Sequence, residues 1–282
     1  MTRKTVTTAS LLLMILTAGV GCADEGLSLR DLRTGRPVGL YEALPALQSA
    51  QVVLVGEQHD HAGHHAAQLQ IILALHRAGT PVAVALEMFE HRSQAVLDAW
   101  VAGKMDEKAF APHFRANWGE TWTLYRDIFI ACRDKGIPMV AVNVPREITS
   151  QVARWGFASL TAEQLGLLPT VTCRVDLEYL DLMRRAHGHA SMDEEAFTRF
   201  CEAQLVWDAS MAVYSLEYLR RNQERTVVLL TGSVHAWKKG IPAQIHRLSS
   251  ETRVKVLLPE TSGRFQRDSV THEDADYLIL VP

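Results

Sequence analysis

Four runs of the chain are almost wholly apolar and rich in β-branched residues: Val52–Val55, Pro81–Leu86, Pro138–Val142 and Thr226–Leu230. Continuous rather than alternating hydrophobicity predicts strands covered on both faces. Between the first two runs, HHAAQLQIILALHRAG carries apolar residues at helical spacing and ends at Gly79. Two helical stretches, about His91–Val101 and Trp118–Asp134, separate the second run from the third. This alternation predicts a parallel sheet with right-handed crossovers. About residues 146–225 read as helical and form an insertion. Strands at Val254–Leu258 and Tyr277–Val281 follow, with a short helix near Pro242–Leu248. Residues 27–50 add an N-terminal strand and a helix near Tyr41–Leu47. Residues 27–282 are thus expected to be one α/β domain with a large helical insertion.

Composition changes this picture little. The 282 residues are 48% hydrophobic and 22% charged, with a formal net charge of −3. That is enough for a full core, and it lacks the basic block of a nucleic-acid binder. The N-terminus is different. Arg3 and Lys4 precede an apolar run from about Ala9 to Val20, too short for a comfortable membrane span, and Gly21-Cys22 closes it. This layout resembles a bacterial lipoprotein signal over residues 1–22, with lipid on Cys22 anchoring the mature chain in the cell envelope. Ordinary cleavage near Ala23 is the alternative. Cys132, Cys173 and Cys201 show no paired spacing and are expected to be buried small hydrophobes.

In a parallel α/β sheet, ligands bind beyond the carboxyl ends of the strands. Each predicted strand delivers polar chemistry there: Glu57 and His59 from the first, Glu87 from the second, Asn143 and Arg146 from the third, and His235 from the fourth. Gly56-Glu-Gln-His59 and Gly232-Ser-Val-His235 repeat one spacing, in which a glycine would turn the backbone and an imidazole would point back over the sheet. His59 and His235 with Glu57 or Glu87 would make a His₂-carboxylate set for Zn²⁺, Fe²⁺ or Mn²⁺. With a metal there, Glu57 or Glu87 would serve as general base of a hydrolase. Arg146 is expected to be the counter-charge for the two glutamates. Trp118, Trp122, Tyr125 and Phe129 share a predicted helix face, either core or the wall of a site for a flat ligand. His61, His64 and His65 read as solvated first-turn residues, and His187 and His189 as part of an exposed loop.

GEQH, ALEMFE, WGETWTLYRDIFIACRDKGIPMVAVNVPREI, FCEAQLVWDASMA and LLTGSVHAWKKGIP together resemble the ChaN-like family of haem-binding lipoproteins, within the wider Tiki and erythromycin-esterase-like superfamily. The resemblance covers about Ser28 to Val281. It implies a three-layer α/β/α fold with a mostly parallel central sheet and a helical insertion. It implies haem as cofactor and a role in haem or iron uptake or storage, with a homodimer and an outer-membrane haem receptor as partners. The alternative is metal-dependent hydrolysis of the Tiki kind. Glu57, His59, Glu87 and His235 match the superfamily pocket, Asn143 and Arg146 match its asparagine-x-proline-arginine segment, and Gln204, Trp207 and Asp208 match the helix that caps it. Members of the family hold haem iron by tyrosine; Tyr125, Tyr179, Tyr214 and Tyr218 are the candidates here, with Lys238 and Lys239 suited to the propionates.

Overall fold

The computed structural model describes residues 26–187, 192–261 and 269–280. Cys22 and its leader, His189, and the side chain of His187 lie outside them. Two short strands, β1 (Ser28–Asp31) and β2 (Pro37–Gly39), open the fold, followed by α1 (Leu40–Gln48), β3 (Val52–Glu57), α2 (Ala62–Arg77) and β4 (Val82–Glu90). Three helices come next, α3 (Gln94–Val101), α4 (Glu107–Trp118) and α5 (Trp122–Lys135), leading to β5 (Met139–Asn143). The insertion holds α6 (Arg146–Trp155), α7 (Ala162–Leu165), α8 (Leu177–His187) and α9 (Glu194–Arg221). The chain closes with β6 (Thr226–Gly232), α10 (Ser233–Ala236), α11 (Ile241–Leu248), β7 (Val254–Pro259) and β8 (Tyr277–Leu280).

The eight strands form one sheet in the order β2-β1-β8-β7-β3-β6-β4-β5. Pairings from β8 to β5 are parallel, and only β1 pairs antiparallel, with β2 and β8. All four central strands expected from the sequence are present. Their residues alternate between two cores: Val53 and Val55 pack with α1–α5, Val52 and Leu54 with α8, α9 and α11. Helices on both faces of the sheet make the three layers, and explain why the strands read as unbroken apolar runs.

Helix α4 was not expected. Its polar first turn (Glu107, Lys108) and Pro112 mask a buried pair, Phe110 and Phe114, four residues apart. These rings pack with Trp100, Trp122 and Phe129, and Trp100 Nε1 donates to the Phe129 carbonyl at 2.9 Å. The predicted aromatic stripe is therefore broken. Trp118 ends α4, and Gly119 follows at φ 87°, in the left-handed region that glycine adopts freely. Trp122, Tyr125 and Phe129 face the core from α5, while Trp118 is left at the edge of a cleft.

Candidate functional site

The carboxyl ends of β3, β6 and β4 open into one cleft of about 1050 Å³. β3 and β6 are neighbours, with Glu57 opposite Gly232. β4 pairs regularly with β5 as far as Leu86 opposite Ala141, then shifts register before Glu90 opposite Asn143. Such an irregularity re-aims side chains at a strand end, and Glu87 lies within it, lining the cleft. Glu57, His59, Glu87, Asn143, Arg146, Gln204, Trp207 and His235 are thus brought to one rim. Asp208 lies fully buried behind them.

The two glycines work differently from the expected tight turn. Gly56 lies inside β3, where a Cβ would fall 2.9 Å from Leu258 Cδ2 and 3.0 Å from Ser233 Oγ. At Gly232 a Cβ would fall 3.1 Å from His59 Cε1 and 3.3 Å from its Nε2. Both are glycine because something packs against the backbone.

Around Glu57 the contacts come from α2, α5 and the loop after β3. Its Oε1 meets His59 Nδ1 at 2.8 Å and accepts a hydrogen bond from the Tyr125 hydroxyl. Oε2 accepts from Gln68 Nε2 at 2.7 Å, with His65 Nε2 at 3.5 Å. Burial alone would raise the Glu57 pKa, but the imidazoles of His59 and His65 beside its two oxygens bring it down to about 2. His59 is lowered by burial and raised more by the Glu57 hydrogen bond and by the charges of Glu87 and Glu57, so it ends above its usual value. Trp118 stands edge-on to the His59 ring at 5.0 Å, and Trp118 Nε1 donates to the Tyr125 hydroxyl at 3.3 Å.

The second imidazole sits between two carboxylates. His235 Nδ1 is 2.6 Å from Asp208 Oδ1, and its Nε2 is 3.8 Å from Glu87 Oε1. Tyr179 donates to Asp208 Oδ2 at 2.6 Å. An acceptor on the Nδ1 side fixes the proton there, leaving Nε2 for the cleft. Burial lowers the His235 pKa, but the Asp208 and Glu87 charges and the Asp208 hydrogen bond outweigh it and lift it to about 9. Glu87 Oε2 is held by the Thr231 hydroxyl at 2.6 Å and the Gly232 amide at 2.7 Å. Asn143 Nδ2 donates to the Glu87 carbonyl at 2.6 Å.

Several expectations need correction. Arg146 is exposed at the cleft rim and pairs with no carboxylate among the described residues. Tyr125, Gln68, Thr231, the Gly232 amide and the two histidines already satisfy Glu57 and Glu87, so no arginine is needed. None of Tyr125, Tyr179, Tyr214 and Tyr218 lines the cleft. Burial, with the adjacent carboxylate charge, pushes the Tyr125 and Tyr179 phenols far up. Burial likewise lifts Tyr214, stacked on His91 at 3.9 Å, to about 12, and raises Tyr218. Lys238 lies outside the cleft, 3.3 Å from Asp276, and donates to the His272 carbonyl. Among the described residues no group of three or more His, Cys, Asp and Glu is arranged to hold a metal ion. The proposed His₂-carboxylate set finds no support, since both glutamates are engaged by protein donors. His64 and His65 are buried rather than solvated, and burial lowers His64 to about 4. All three described cysteines are unpaired; Cys132 and Cys201 are buried as expected, whereas Cys173 is only half-buried.

Sequence reasoning missed Gln68 and the last turn of α4, which supplies Arg115 and Asn117 to the cleft beside Trp118. The helical spacing of Phe110 and Phe114 was the available signal for that turn. Gln68 carried one too: a polar residue amid the apolar face of α2, three after His65.

The family model for haem-binding uptake, Tiki superfamily, ChaN matches residues 43–245. Among solved structures, the chain resembles ChaN of Campylobacter jejuni, described with cofacial haem binding. Identity is 21% and the TM-score 0.71, over 91% of this chain and 97% of that one. It also resembles the type III effector HopBA1, at 13% identity and TM-score 0.50, over 85% of this chain and 91% of that one. At these identities the likeness establishes the fold. No curated protein matches the chain.

Proposed function

The chain belongs to the haem-binding uptake family of the Tiki superfamily, ChaN, and from that premise we propose that it binds haem in the cleft, with His59 as the side chain offered to iron. One observation carries this reading. The His59 Nδ1 side is engaged by the buried Glu57, while the ring, 48% exposed, is packed on Gly232, where any Cβ would crowd Nε2. A carboxylate on one imidazole nitrogen orients the other and raises its basicity as a ligand. Trp118 and Trp207 supply apolar walls suited to a flat macrocycle. Bound haem would supply a redox-active iron. The protein's own part is to hold the imidazole, exclude water and shed the His59 proton on binding.

Titrating hemin into the purified protein should give a saturable Soret shift at a defined stoichiometry. His59→Ala should weaken binding about tenfold or more, as expected for loss of an oriented ligand. Unchanged affinity and spectrum in His59→Ala would remove His59 from this role.

A lipid anchor on Cys22 and a cell-envelope location are part of the proposal, supported by the N-terminal charge, apolar run and Gly21-Cys22. No helix among the described residues is long and apolar enough to cross a membrane. Cys22→Ser should move the protein out of the membrane fraction; unchanged fractionation counts against lipidation. A homodimer, an uptake role and a haem receptor as partner rest on the resemblance alone, and sedimentation with and without hemin tests the first.

A second reading rests on the other imidazole. Asp208 sets the His235 proton and Glu87 stands opposite, an acid–base pair able to serve hydrolysis without a metal. Ester or peptide hydrolysis that survives chelation and vanishes in His235→Asn would favour it; no turnover of any ester panel would exclude it.

A further inference from the structure

The cleft is lined by four carboxylates, and all but the exposed Asp60 are matched locally. Glu57 and Glu87 are satisfied as described, and Glu90 is paired with Arg92 at 2.5 Å. Of the cleft's two arginines, Arg115 is paired with Glu120 at 3.1 Å. Arg146 is left without a carboxylate partner among the described residues, although its side chain reaches the same cleft.

Arg146 is also the first residue of α6, ten residues long. The residue before it is Pro145, which has no side-chain group to cap the helix. The first amides of a helix have no intrahelical acceptor, and here those of Arg146 and Glu147 find none elsewhere among the described residues. Free N–H groups and the positive end of the helix dipole favour an anion.

An independent observation comes from α9. Gln204 lines the cleft and is only 9% exposed, yet its side-chain amide has no hydrogen-bond partner among the described residues. Its primary amide carries two donors, which face the open cleft and are available to a ligand. Helices α6 and α9 pack directly against each other. An uncapped helix end, an unpaired guanidinium and an unpartnered amide thus share one wall.

We infer that the amino end of α6, Arg146 and Gln204 form an oxyanion subsite of the cleft that takes a carboxylate of the bound ligand; for a tetrapyrrole carboxylate this rests on the haem reading above. Arginine matches a carboxylate as a planar fork, and the Gln204 amide and first-turn N–H groups add directed donors. The subsite is separate from the iron-facing His59, so an acidic macrocycle would be held at its centre by one and at its edge by the other.

Two arms test it. In the first, acetate is titrated into ¹⁵N-labelled protein against chloride at equal ionic strength, following the Gln204 side-chain amide, assigned by its loss in Gln204→Leu. A saturable shift that Arg146→Gln abolishes is expected. No shift, or one that persists in Arg146→Gln, overturns the subsite. In the second, hemin is compared with its dimethyl ester. Wild type should prefer the diacid about tenfold, as for loss of a charge-assisted hydrogen bond, and Arg146→Gln should lose that preference. If acetate saturates the subsite while hemin does not bind, the haem reading fails and the subsite stands. If hemin binds but acid and ester are equivalent in wild type, the subsite is refuted and the haem reading survives. Arg146 is exposed, so its substitution leaves the core intact; thermal unfolding of each variant checks this.

Discussion

His235 should make the protein lose stability in mild alkali. Its folded pKa is about 9, against an ordinary 6.5, because the Asp208 and Glu87 charges and the Asp208 hydrogen bond outweigh the penalty of burial. A group whose pKa rises on folding contributes fully below its unfolded value. That contribution is lost as pH rises through the folded value. The window is therefore about pH 6.5 to 9. At about 1.4 kcal/mol per pH unit, the gap is worth about 3 kcal/mol, a large share of a typical domain's 5–15 kcal/mol. Asp208→Asn removes the largest raising influence and leaves the burial penalty, so the imidazole should titrate well below 9. Urea unfolding at pH 6 and pH 9.5 measures the effect. Wild type should lose about 3 kcal/mol more over that interval than Asp208→Asn. Comparing the two cancels the groups that titrate alike in both. Imidazole ¹⁵N shifts give the second reading, because they follow His235 directly. Equal pH slopes in the two proteins, or His235 titrating near 6.5 in wild type, would refute the reasoning.

Tyr125→Phe should cost about 1–3 kcal/mol in urea unfolding, because it withdraws a hydrogen bond from a buried carboxylate; no measurable loss would mean the phenol does not hold Glu57. Gly232→Ala should displace the His59 ring, since a Cβ would fall 3.1 Å from Cε1. A weakened Soret titration with an unaltered far-ultraviolet circular dichroism spectrum is the expected pair of results, and full hemin affinity would show the ring does not need that space. Hemin affinity should rise with pH through the His59 pKa, which lies above its ordinary value, because a proton must leave before the nitrogen can bind; a flat profile from pH 6 to 9 would argue for a different ligand.

The parts of the fold that were legible share one physical cause. Val52–Val55 and Thr226–Leu230 are buried on both faces, so apart from the β-branched Thr226 their sequence has no polar residue to obscure the strand. The carboxyl-end rule then placed Glu57, Glu87 and His235 together without any distance information. Helix α4 was illegible because its outward face is polar and Pro112 interrupts it. The burial of Phe110 and Phe114 depends on Trp100 and Phe129, which come from other helices. The re-aiming of Glu87 by the β4–β5 irregularity was hidden for a similar reason, since register is a property of two strands.

The misplacement of Arg146 shows why local charge counting fails in a folded cleft. Two carboxylates close together need compensation, and a nearby arginine is the obvious source in a sequence. The fold compensates them instead with donors scattered along the chain. Tyr125 reaches Glu57 across 68 positions, and Thr231 and the Gly232 amide reach Glu87 across 144 and 145. Neutral donors and backbone amides have no sequence signature of charge, so they are invisible to such counting. Their effect is to leave the arginine unspent. A cation that Glu57 and Glu87 do not need, standing beside an uncapped helix and an unpartnered amide, is available to the anionic part of a ligand.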